Sequence, residues 1–158
     1  MEGAKQPYHF AETLPIQKAE RHLQKCAAVT ERLALKTIRE MLEGVSAQNY
    51  RVVSCAMLLA SGRSLPSLQK VLASHALIHT AEGEFFRKAV REACERCGVP
   101  VAGFRERELD ERAEATFGKD AVLVRRRISS MGKTMGPPWT QDEKIAALAG
   151  LIVCDEGR

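Results

Sequence analysis

At 158 residues, with 45% hydrophobic and 28% charged side chains, the chain has the size and balance of an ordinary globular domain, which excludes a disordered tail or a fibrous repeat. A formal charge of +4 permits an acidic partner but falls short of a dedicated nucleic-acid footprint, and an aromatic content of 5% leaves a core of Ala, Leu, Val and Ile. Five cysteines, an odd number set mainly in apolar runs, point to free thiols in a reducing cytoplasm, and the start of the chain, interrupted by Pro7, Glu12 and Pro15, does not read as a secretory signal.

The first 12 residues show no period and are expected to form an arm of one domain covering residues 1–158. Ile16, Ala19, Leu23, Cys26, Thr30, Ala34, Ile38, Met41 and Val45 then recur at steps of three and four, which predicts a long amphipathic helix near residues 14–44, with Thr13 as its cap, Pro15 in the first turn and Gly44 as its stop. At ~1.5 Å per residue it would reach roughly 40 Å, more than local packing needs, so it is a candidate surface for a homodimer. Residues 51–60 (RVVSCAMLLA) form an unbroken apolar run and predict a central strand covered on both faces. Ser61, Gly62, Arg63, Ser64 and Pro66 predict a turn, and Leu68, Val71 and Leu72 a short helix.

Ala81, Phe85, Ala89, Ala93 and Cys97 repeat every fourth residue and predict a helix over 80–97 that stops at Gly98. A second strand is predicted over 99–104, its Pro100 placing it at a strand start or a sheet edge. Helices are expected over 106–117 and 121–131, then a linker over 132–139 in which Trp139 anchors the last helix onto the core. The Thr140–Glu143 capping box opens that last helix, with Ile145, Leu148, Ala149 and Ile152 on its buried face. Strands joined through helices pair in parallel, so the expected class is α/β, a small parallel or mixed sheet packed by helices. The apolar run over 145–154 is about half the ~20 residues that a bilayer crossing requires, and no membrane partner is expected.

His75, His79 and Glu82 stand at i, i+4 and i+7, and an unbroken helix would bring them to one face, the geometry of metal ligation. Alternatively Thr80 caps a new helix that breaks this face, and the imidazoles bond to backbone. Glu82 and Glu84 flank Gly83: they complement the positive end of a helix, or they hold a divalent cation while Gly83 lets a backbone, phosphate or partner approach. Cys94 and Cys97 have CxxC spacing at a helix end and read as structural thiols. Arg125, Arg126 and Arg127, with Lys133, are candidate nucleic-acid contacts or a solvated helix face.

The order of a long helix, an apolar strand, a helix opening with acids, a second strand and a last helix opening TQDEKIAALAGLIV resembles the ribonuclease H-like fold, in its Holliday-junction-resolvase-like branch. In the last helix the likeness is carried by Asp142, Glu143, Ala146, Ala147 and Ala149. The resemblance implies a bacterial nucleic-acid-binding or nuclease-like domain holding Mg²⁺ or Mn²⁺ between carboxylates, for which Glu82, Glu84 and Asp142 are the candidates. That family places an indispensable acid on a first strand of an N-terminal meander. Here about 13 residues precede the long helix, none of them Asp, and residues 51–60 carry no acid. The expectation is therefore a partial core, from a longer protein or with impaired or absent catalysis. The alternatives are a non-catalytic homodimeric module built on the long helix and a small-molecule enzyme using His75 and His79.

Overall fold

In the computed structural model, which describes residues 3–59 and 64–156, the elements run α1 (Pro7–Glu12), α2 (Ile16–Ala47), β1 (Cys55–Leu59), α3 (Leu68–Leu72), α4 (His75–Arg96), β2 (Val101–Arg105), α5 (Leu109–Phe117), α6 (Ala121–Met135) and α7 (Gln141–Glu156). The class is mixed α/β and mostly helical. Packing divides the chain into two compact units, one of residues 1–51 with 60–98, the other of residues 52–59 with 99–158. No helix among the described residues is long and apolar enough to cross a membrane.

The first unit is helical. Residues 7–12, expected to lack regular structure, form α1, which begins with Pro7 in the first turn, where a missing N–H costs nothing. Thr13 does not cap α2. Its hydroxyl closes α1 instead by donating to the Phe10 carbonyl at 2.8 Å, and α2 starts behind Pro15. Gly44 lies within α2 rather than ending it; the helix runs to Ala47 and stops before Asn49, whose φ of 62° supplies the left-handed turn that glycine was expected to give. α2 packs along α4, and the buried positions of the two are mostly small: Ala19 and Cys26 on one, Ala81, Ala89 and Ala93 on the other. Past Leu35, α2 buries no residue.

α4 begins five residues before the expected start. Thr80 does not cap it, because its hydroxyl donates to the Ala76 carbonyl one turn back at 3.0 Å, the alternative use of a threonine inside a helix. Glu82 and Glu84 are therefore not first-turn acids and owe nothing to the helix's positive end.

The second unit holds the sheet. β1 and β2 pair in parallel, Cys55 opposite Val101 and Leu59 opposite Arg105. The strand near 51–60 is shorter than expected: residues 51–54 precede it, and Ala60, with Ser61, Gly62 and Arg63 of the expected turn, falls outside the described residues. The described sheet has two strands, so β1 is not a sheet centre between helices, and only Met57 on it is buried. The core is formed by Phe104, Leu109, Ile128, Ile145, Leu148 and Ile152, from β2, α5, α6 and α7. α6 continues four residues beyond its expected end, through Gly132, over which the Trp139 ring lies; the indole N–H donates to the Ile128 carbonyl at 2.9 Å. α7 starts as its capping box predicts, with Glu143 accepting from the N–H and hydroxyl of Thr140 and the Asp142 N–H donating to that hydroxyl. These bonds hold the Glu143 carboxyl below the usual carboxylate range.

Candidate metal centre

His75, His79 and Glu82 lie on one continuous helix and hence within a narrow arc of its surface. The two imidazoles project into solvent at the N-terminal end of α4, their Nε2 atoms 3.1 Å apart and their rings nearly perpendicular. Two nitrogens bound to one tetrahedral Zn²⁺ at ~2.0–2.1 Å would lie about 3.3 Å apart, so this pair already has the separation that a shared ion requires.

The third imidazole comes from α1. His9 places its ring 4.7 Å from that of His79 and 5.4 Å from that of His75, centre to centre. One candidate ligand atom from each of His9, His75 and His79 lies within 4.8 Å of the other two. A six-residue helix is far too short to be stable alone, so the packing of α1 decides where His9 points. Pro7 and Ala11 are buried in the unit, Ala11 among Ala19, Leu23 and neighbouring side chains. The Tyr8 ring meets Phe85 edge-on.

The decisive tie is Glu82, a buried charged residue of this unit at 9% exposure. Its Oε1 accepts the backbone N–H groups of Tyr8 at 3.1 Å and His9 at 3.3 Å, two of the donors that the first turn of a helix leaves without partners. Gln6 supplies no cap of its own, so an acid 74 positions along the chain does that work. The other oxygen, Oε2, lies 2.8 Å from His9 Nδ1. A carboxylate on one imidazole nitrogen fixes the tautomer and turns the other nitrogen outward, the arrangement that commonly backs a metal-binding histidine. Both Glu82 oxygens are thus committed to α1, and the residue orients the His9 ring. Beside it, burial first and the Glu82 charge second push the Tyr8 hydroxyl above its ordinary pKa.

The remaining candidates fall elsewhere. Glu84 Oε1 accepts a hydrogen bond from Arg87 Nη2 at 3.1 Å. Asp142 belongs to the second unit, exposed at the start of α7. Arg125 is pinned to α5, donating to the Asp110 carboxylate at 2.8 Å and to its carbonyl at 3.3 Å, while Arg126, Arg127 and Lys133 are exposed on α6. Cys94 is buried and Cys97 half-buried near the end of α4. His22, on α2, lies 3.3 Å from the Sγ of Cys26, a thiol that burial raises above its ordinary pKa and so keeps unreactive. Compared with known proteins, the chain matches no family model, and no curated protein or solved structure is found similar to it.

Proposed function

We propose that this chain binds a late first-row divalent ion, Zn²⁺ being the best fit, through His9, His75 and His79, with Glu82 orienting His9. The observation that carries this reading is that three imidazoles from two helices bring one ligand atom each within 4.8 Å of one another, while a buried carboxylate hydrogen-bonds to one of the rings. Imidazole ligands suit Zn²⁺, Cu²⁺ or Ni²⁺, whereas Mg²⁺ and Mn²⁺ prefer the oxygen ligands that a nuclease would supply. Three protein ligands leave a position for water or substrate, and His75 and His79 are open to solvent, which suits a reactive centre better than a closed structural one. An ion there would lower the pKa of its bound water towards ~7 and act as a Lewis acid.

Calorimetric titration of the chelator-stripped protein with ZnCl₂ tests this. One equivalent should bind in the micromolar range or tighter, and His9→Ala, His75→Ala and His79→Ala should each weaken binding at least tenfold. Binding unchanged in His9→Ala would sink the three-imidazole centre.

A second reading belongs to the other unit. Arg126, Arg127 and Lys133 are exposed on α6 and make no ion pair among the described residues, and Val122 and Leu123 beside them are 59% and 51% exposed. Such a face supports contact with a nucleic-acid backbone, which needs cations and no aromatic platform. Anisotropy of a labelled single strand should then report binding at 50 mM salt that fades steeply by 200 mM; affinity unchanged in Arg126→Gln with Arg127→Gln would remove this reading.

A further inference from the structure

His79, Gly83 and Arg87 stand at i, i+4 and i+8 of α4 and form one row along its surface. Gly83 leaves a gap in that row, and Arg87 folds back into it. A Cβ placed at residue 83 would lie 2.7 Å from Arg87 Nη2 and 3.2 Å from both Cζ and Nη1. The guanidinium therefore occupies the site of the missing side chain and becomes the next group in the row after His79, where neighbouring Cβ positions are about 5–6 Å apart. Glu84 Oε1 steadies it through Nη2 at 3.1 Å, while Nη1 has no hydrogen-bond partner among the described residues.

A part-buried ion pair three residues apart on a helix needs no glycine beneath it. What Gly83 adds is room for a planar cation, with donors to spare, one helical turn along α4 from His79. Resting on the assignment of His9, His75 and His79 as a metal centre, we infer that its ligand or substrate carries an oxyanion, phosphoryl or carboxylate, shared between the ion and the Arg87 guanidinium. Guanidinium presents paired N–H groups in the fork that such oxyanions match, and a cation on the far side of the anion complements the ion's own charge. Arg87 then acts as a specificity determinant, and Gly83 is what lets it reach.

The test uses the full chain loaded with Co²⁺, whose visible absorption reports the atoms bound to the ion, titrated with inorganic phosphate in one arm and acetate in the other. The expected result is a saturable spectral change in the wild type, larger and tighter with the oxyanion class the site prefers. Arg87→Met should leave the Co²⁺ spectrum without anion unchanged yet weaken the anion response at least tenfold. Arg87→Lys should recover part of it, and Gly83→Ala should weaken it because the new methyl displaces the guanidinium. A Co²⁺ spectrum that neither anion alters, or an Arg87→Met response equal to wild type, overturns the inference while leaving the metal centre standing. No Co²⁺ absorption at all would overturn the centre and the inference together.

Discussion

The two units of this chain are held by different kinds of interaction. The unit containing Phe104 is organised as a conventional core: large aliphatic and aromatic side chains from one strand and three helices meet over a two-stranded sheet, and its polar ties, such as the Trp139 bond to the Ile128 carbonyl, sit at the edge of that packing. The unit containing α2 and α4 buries mostly small side chains on its long helices, alanines and cysteines among Leu23, Leu35 and Ile78, and at its charged focus a buried glutamate fixes a six-residue helix. Burying a carboxylate costs several kcal/mol unless hydrogen bonds and nearby positive potential offset it, so a fold gains little by doing this for a short helix that could have packed through apolar contacts. The arrangement makes sense where the helix delivers something, and α1 delivers His9.

Substitutions in the two units should therefore fail differently. The largest stability loss is expected from Phe104→Ala, which removes a 1% exposed ring and should cost about 3–5 kcal/mol in denaturant unfolding. Glu82→Ala should come next at about 3 kcal/mol, because it leaves two backbone donors and an imidazole without their charged acceptor. It should also weaken Zn²⁺ binding by about 10–100-fold. Glu82→Gln, which still offers an acceptor to Tyr8 and His9, should recover most of the stability. A Phe104→Ala cost smaller than that of Glu82→Ala would invert the contrast between the units.

Third is a loss that appears only with metal present. His79 is exposed, so His79→Ala should change stability by less than about 0.5 kcal/mol in chelator. With Zn²⁺ at about 100 times its dissociation constant the wild type should gain about 2.7 kcal/mol, a gain that at least tenfold weaker binding should cut to about 1.4 kcal/mol or less in the variant. The smallest effect concerns the second unit alone. Because Glu143 has its pKa lowered by the Thr140 hydroxyl and N–H, its capping contribution is complete above the ordinary carboxylate pKa and is lost as pH falls through the depressed folded value. Amide exchange at the first turn of α7 should accelerate over that acidic window, and Glu143→Gln should flatten the dependence.

Much of the helical frame was legible in the chain because long amphipathic periods survive any tertiary context. The parallel pairing of two strands could be inferred from the helices between them, and the start of α7 from four residues, Thr140 to Glu143. The sheet's extent was not legible: an unbroken apolar run such as residues 51–60 says that a strand is covered, not how many strands flank it. Two of the three imidazoles of the proposed centre could be paired as well, since His75 and His79 stand one turn apart. Its completion could not, because α1 is too short to show a period and His9 lies far along the chain from its histidine partners in α4. Pro7, a residue favoured in a first helical turn, was the available signal. Thr80 misled for a physical reason, as the same hydroxyl that caps a helix can equally bond the carbonyl four residues back.

X-ray absorption at the zinc edge of the loaded protein probes this centre most directly. Three imidazole nitrogens at about 2.0 Å with one further oxygen, falling to two imidazoles in His9→Ala, is the expected pattern. A shell made wholly of oxygen, or one that His9→Ala leaves untouched, would show that α1 does not deliver a ligand and that Glu82 is buried for some other reason.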